Sequence, residues 1–175
     1  ICPIGEYCEP GTGAEGKKCD EGYYIFEEGS QSKEQCAPCL PGWKCSGGGI
    51  ERCPVGQYCP YDSKPVNCSS STYNPSLGGE SELDCLPCPA GYLCTDEAIG
   101  SLDGYECPTG HYCIEGAREA TACPMGTYMN EIKAKKESDC KVCPRGYYCG
   151  VATTTPEACP VGYFCPEGSH EPIQC

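Results

Sequence analysis

Hydrophobic positions along the chain come singly or in short groups. The recurring apolar feature is an aromatic residue one or two places ahead of a cysteine, as at Tyr7-Cys8, Trp43-Lys44-Cys45, Tyr58-Cys59 and Phe164-Cys165. No apolar run approaches the roughly 18 residues of a membrane-spanning helix. Leu, Ile, Val and Phe together number 21 of 175 residues, while 23 Gly and 17 Pro interrupt the chain throughout. Such a pattern suits turns and strand-like loops and leaves little room for long helices. It predicts short β-hairpins and turns.

The aromatic positions belong to a repeat. A block C-x-x-G-x-x-C recurs seven times: CPIGEYC from Cys2, CLPGWKC from Cys39, CPVGQYC from Cys53, CPAGYLC from Cys88, CPTGHYC from Cys107, CPRGYYC from Cys143 and CPVGYFC from Cys159. Six copies carry Pro directly after the first cysteine; in the seventh, Leu40-Pro41, it is shifted by one. Three blocks are preceded by a further cysteine with two residues in between, and before each of those lies a loop of 16 residues: Cys19 to Cys36, Cys68 to Cys85 and Cys123 to Cys140. The larger period is 51, 54 and 52 residues. It divides the chain into cysteine-rich repeats 1–52, 53–106 and 107–158, with 159–175 the start of a fourth.

So few core formers and a formal net charge of −13 would by themselves give a disordered chain. The 21 cysteines reverse that expectation, because covalent cross-links replace the core such a sequence cannot build. Cysteine at this density points to an oxidising, extracellular setting, secreted or at the cell surface. Acidity spread over the whole length disfavours nucleic acid and anionic membrane surfaces as partners.

Pro after Cys and Gly three places on suggest a type I turn, with Pro at its second position and Gly at its fourth. A Tyr ring laid over a disulfide would then supply most of a module's apolar burial. The constant sixteen-residue loops predict bridges Cys19–Cys36, Cys68–Cys85 and Cys123–Cys140. For the remaining cysteines an interleaved pattern is expected: Cys39–Cys53, Cys45–Cys59, Cys88–Cys107, Cys94–Cys113, Cys143–Cys159 and Cys149–Cys165. Cys2, Cys8 and Cys175 are left without partners, which reads as a longer array cut at both ends. Six cysteines per unit allow 15 pairings, so spacing alone leaves connectivity open.

The alternation of C-P-x-G-x-Y-C with a long loop running into C-x-x-C-P-x-G resembles the ephrin-receptor-like or GCC-type cysteine-rich repeat, itself similar to tumour-necrosis-factor-receptor modules. The likeness covers nearly the whole chain and is fullest at Cys123-Pro124-Met125-Gly126-Thr127-Tyr128. The second long loop departs from it, with Ser71 in the glycine place and no Pro after Cys68. The resemblance implies an extended disulfide ladder in a large extracellular protein and brings no catalytic residue with it.

Rival chemistry has less support. Zinc would need paired Cys-x-x-Cys at ribbon distance, and here one such pair occurs per unit. Thioredoxin-type chemistry needs a βαβ pattern. His111 occupies a slot held by Glu6, Gln57 and Tyr147 in sister blocks, which marks a tolerant surface position. Calcium would call for a D-x-[DN]-x-[DN]-G loop that the chain lacks. No catalytic site, metal or cofactor is therefore expected. Asn67-Cys68-Ser69 is an N-glycosylation sequon, and Ser69 to Thr72 and Thr153, Thr154 and Thr155 read as O-glycan acceptors.

These features point to a small disulfide-rich fold, an elongated tandem array of cysteine-rich modules. The expected role is a non-enzymatic, stapled rod that spaces other domains or packs into a fibre or surface coat. The alternative is a receptor or adhesion ectodomain that binds a protein ligand through the insertion Thr95 to Glu106, with Ile99 and Leu102 exposed. Self-association or other extracellular proteins, and glycans, are the expected partners.

Overall fold

The structure, a computed structural model, describes residues 1–11, 15–61 and 64–175. These fall into two compact units. One contains Ile1–Ser69, Tyr73–Leu86 and Glu97–Ser101; the other contains Ser70–Thr72, Pro87–Asp96 and Leu102–Cys175.

Both units consist of small antiparallel hairpins. In the first, β1 (Glu6–Tyr7) pairs with β2 (Lys17–Lys18), β3 (Tyr23–Tyr24) with β4 (Ala37–Pro38), β5 (Trp43–Ser46) with β6 (Gly49–Arg52), and β7 (Gln57–Tyr58) with β8 (Val66–Asn67). The pair β9 (Thr72–Tyr73) and β10 (Leu86–Pro87) contributes residues to both units. In the second unit, β11 (His111–Tyr112) pairs with β12 (Thr121–Ala122), β13 (Thr127–Tyr128) with β14 (Lys141–Val142), β15 (Tyr147–Tyr148) with β16 (Glu157–Ala158), and β17 (Tyr163–Phe164) with β18 (Ile173–Gln174). A lone bridge from Tyr92 to Glu106 takes the place of a hairpin ahead of β11.

A shared turn opens the hairpins, one residue later than the sequence suggested. The Pro3 carbonyl accepts the N–H of Glu6 at 3.2 Å, and Pro89, Pro124, Pro144 and Pro160 accept those of Tyr92, Thr127, Tyr147 and Tyr163 at 3.1 Å. Proline thus opens the turn instead of holding its second position. Glycine is third, with φ of 88° at Gly5 and 91° at Gly91. Positive φ at the third position belongs to type II, which corrects the type I reading. In Leu40-Pro41-Gly42-Trp43 the displaced proline takes the second place, where its fixed φ also fits. Ser71 adopts φ 73° without the help of glycine.

Backbone hydrogen bonds set the module length. The amide of the cysteine that opens a hairpin closes the one before it: Cys53 donates to Gly42 (2.9 Å), Cys68 to Gly56 (2.9 Å), Cys107 to Gly91 (2.9 Å) and Cys143 to Gly126 (2.9 Å). A second bond ties the hairpin to a later loop. Gly78 donates to the Cys53 carbonyl (2.7 Å), Ala98 to Cys68 (3.0 Å), Lys133 to Cys107 (2.9 Å) and Ala152 to Cys123 (3.1 Å). Each of these donors has positive φ, and the residue after it is inward or half-buried: Gly79, Ile99, Ala134 and Thr153.

The disulfides follow the hairpins. Cys19–Cys36, Cys68–Cys85 and Cys123–Cys140 close the sixteen-residue loops. The interleaved pairs Cys39–Cys53, Cys45–Cys59, Cys88–Cys107, Cys94–Cys113, Cys143–Cys159 and Cys149–Cys165 do not form. Each block instead closes on itself, as Cys39–Cys45, Cys53–Cys59, Cys88–Cys94, Cys107–Cys113, Cys143–Cys149 and Cys159–Cys165. Cys2 and Cys8, expected to be partnerless, pair with each other, and Cys175 is free and exposed. Chain entropy does not choose this pattern. A bridge over six residues removes about 2 kcal/mol of denatured-state entropy against about 3 for the longer interleaved loops. Turn geometry decides, since the reversal at Pro41-Gly42 brings the Cα atoms of Cys39 and Cys45 to 5.9 Å while Cys53 is held opposite Gly42 by its amide.

Cysteine also forms most of the interior. Eleven cysteines, together with Asn74, are the largest side chains sealed from solvent. Ile25, Ile99, Ala117, Met129 and Ala134 add small apolar patches. The tyrosines do not supply the core that the sequence suggested: Tyr7 is buried, but most are half-covered, and Tyr61, Tyr147 and Tyr163 are exposed.

Candidate functional site

The sequence-predicted positions lie apart along both units. Asn67 is exposed on β8, and its carboxamide oxygen accepts Gln57 Nε2 from the facing β7 at 2.7 Å. Its sequon neighbour Cys68 is sealed inside, while Ser69 is exposed. Among the three threonines, Thr153 is half-buried, with its hydroxyl on the Gly150 carbonyl (3.0 Å) and its own carbonyl holding the Met129 amide (2.9 Å). Thr154 and Thr155 face solvent. His111 Nδ1 stands 3.1 Å from the Thr109 carbonyl, and His170 is exposed beside Glu171.

The insertion from Thr95 to Glu106 differs from expectation. Ile99 is buried at 3% exposure and Leu102 is half-buried. Burial follows from the backbone: Ile99 succeeds the left-handed Ala98, and its carbonyl receives the Asn74 amide at 2.9 Å. The outer part of the insertion forms a groove of about 550 Å³ lined by Leu93, Thr95, Asp96, Asp103, Gly104, Tyr105, Glu106 and Pro108. Tyr105 donates its hydroxyl to Asp96 at 2.8 Å, and this bond to a carboxylate raises the phenol pKa. Glu106 accepts the Gly104 amide (3.1 Å) and faces Lys133 at 3.6 Å, whose ammonium lies 5.1 Å from the centre of the Tyr92 ring.

Surface ion pairs recur on both units, including Lys17 with Glu9 and Lys33 with Asp20, each at 2.7 Å. The facing carboxylates raise both ammonium pKa values. Exposed pairs of this kind stabilise weakly. Among the described residues no three His, Cys, Asp or Glu side chains gather as a metal site. Each Cys-x-x-Cys is spent on two bridges, as Cys36 with Cys19 and Cys39 with Cys45.

Sequence reasoning missed the faces of the long loops. Each ends in a 3-10 turn, Lys33–Gln35, Glu82–Asp84 or Glu137–Asp139, capped by the last side chain before the closing cysteine. Gln35 Oε1 accepts the amides of Gln31 and Ser32, Asp84 Oδ2 those of Glu80 and Ser81, and Asp139 Oδ2 those of Lys135 and Lys136, all between 2.6 and 3.2 Å. The shared Gln or Asp directly before Cys was the available signal. On this common scaffold the outward residues differ. Loop 68–85 exposes Leu77 and Leu83, which with Leu86 just beyond its closing cysteine surround a groove of about 290 Å³.

No protein-family model matches the chain, and no curated protein matches it significantly. The structure is a small, cysteine-rich fold of repeated hairpin modules carrying ten disulfides among the described residues. That architecture is consistent with an extracellular structural or binding module, and bridges at this density suit an oxidising environment. Among the described residues no helix is long and apolar enough to cross a membrane.

Proposed function

We propose that the chain is a non-enzymatic structural segment of an extracellular repeat protein, built as a stiff spacer that also packs side by side into a fibre or surface coat. The observation that carries this reading is the repeated use of one module: a hairpin stapled by its own disulfide and, from the one opened by Cys19 onward, closed by the amide of the cysteine that follows it. A chain so organised gains length by adding hairpins, and each contributes rigidity without enlarging a core. The ephrin-receptor-like or GCC-type resemblance supports the same role. Small-angle scattering on the dilute, oxidised protein tests it, with a radius of gyration well above the roughly 16 Å of a compact chain of this length expected. A value near 16 Å removes the spacer reading.

The groove on the insertion favours a second reading, an adhesion or receptor ectodomain that grips a basic protein segment with Asp96, Asp103 and Glu106. Alanine at these three positions would abolish attachment of the labelled protein to ligand-bearing cells, and unchanged attachment would remove it. Glycosylation at Asn67, Thr154 and Thr155 belongs with an extracellular setting. It is tested by intact mass of secreted protein before and after glycosidase treatment.

A further inference from the structure

The second and third long loops are one scaffold with opposite dress. In both, an aspartate before the closing cysteine caps the 3-10 turn, so Glu80 occupies the place of Lys135 and Ser81 that of Lys136. At the position three residues before that pair begins, Leu77 (65% exposed) corresponds to Ile132 (55% exposed). Between Cys68 and Cys85 the charged residues are Glu80, Glu82 and Asp84, with no cation. Arg52 approaches from the Gly78 side, but its guanidinium is stacked over Trp43 at 4.5 Å. Between Cys123 and Cys140 stand Lys133, Lys135 and Lys136. Of the acids there, Glu131 is engaged by Lys141 and Asp139 is turned inward onto backbone amides, leaving Glu137 beside the lysines.

We propose that the acidic leucine face of loop 68–85 docks onto the basic Ile132 face of loop 123–140 in a second copy of this chain. Leu77, Leu83 and Leu86 form the apolar floor that receives Ile132, while Glu80 and Glu82 meet Lys135 and Lys136. The first long loop does not compete, because it carries Glu28 where the others carry Leu77 and Ile132, and Glu34 where Leu83 stands. Like faces repel, so two copies join only through unlike loops. Such a contact is heterologous: each copy keeps one face unused and can add another, which is how an open assembly grows. The proposal deepens the side-by-side packing proposed above and rests on it.

Sedimentation velocity of the oxidised chain tests the contact. The wild type shows a weight-average mass that rises with concentration at low ionic strength and falls back to monomer near 1 M salt, where the screening length is about 3 Å. Glu80→Lys/Glu82→Lys and Lys135→Glu/Lys136→Glu each abolish the rise, since all four side chains are exposed and outside the hairpin bonds. Mixed together, the two variants restore it, because each now supplies the face the other lost. Leu83→Ser weakens association at every salt concentration. A monomer at all concentrations, or charge-reversed variants that associate like wild type, overturns the proposal. An extended monomer by scattering that never associates would leave the spacer reading standing and remove only this contact.

Discussion

Gly56 stands against the backbone of Ala98 so closely that a β-carbon at position 56 would lie 2.0 Å from the Ala98 carbonyl oxygen. The glycine has φ 76°, so two independent demands meet there, left-handed backbone and close approach. Gly56→Ala therefore destabilises the first unit by at least about 1–2 kcal/mol from φ alone, with the displaced Ala98 strand of contacts adding to it. Guanidinium unfolding with the disulfides intact measures this, and a midpoint equal to wild type would show the contact to be dispensable.

Ala152 presents the reverse case. It adopts φ 56° to deliver its amide to Cys123, a conformation that Gly78, Gly116 and Gly168 reach without strain at corresponding places. Ala152→Gly trades a left-handed penalty of about 1–2 kcal/mol for about 0.5–1 kcal/mol of added chain entropy. A net gain in unfolding free energy is expected, read in the same denaturant assay.

Local pairing of the blocks has a direct chemical signature. Trypsin acting on unreduced protein cuts after Arg52 and Arg118, while Lys64 is shielded by Pro65. With Cys53–Cys59, Cys68–Cys85, Cys88–Cys94 and Cys107–Cys113 all internal, the peptide 53–118 is released by itself. Interleaved bridges would keep it attached to the segment holding Cys39 and Cys45. Mass spectrometry without reduction separates the two outcomes.

Asp84 lends the second long loop a dependence on pH. Hydrogen bonds from the Ser81 and Glu80 amides hold its carboxyl below the ordinary 3.8. The capped turn is therefore fully favoured above the unfolded value and loses that support as pH falls through the lower, folded one. The Ser81 and Glu80 amide resonances should titrate together below the ordinary aspartate range. In Asp84→Asn, which keeps an oxygen acceptor, that titration disappears.

The repeat and the small disulfide-rich fold were legible because cysteine spacing is a one-dimensional signal. The turn was legible in kind but misplaced, since Pro followed by x-Gly fits a turn beginning on the cysteine as well as one beginning on Pro3 or Pro54. Connectivity was hidden for a related reason: spacing does not say that the turn itself brings Cys39 back to Cys45. The left-handed donors were invisible because Gly29, Ala98, Lys133 and Ala152 share a backbone conformation and no side chain. Ile99 looked like a surface residue in an irregular insertion, yet it follows such a donor and is carried inward. The unlike faces of loops 68–85 and 123–140 became comparable only once Asp84 and Asp139 were seen to cap the same turn.

Because every bridge closes within its own hairpin, no disulfide among the described residues joins one module to the next. Under tension the force therefore runs through the short-circuited disulfide loops and falls on backbone hydrogen bonds such as Gly78 to Cys53. Neighbouring hairpins would part there first, while the slack locked inside each loop stays out of reach as long as its disulfide is intact.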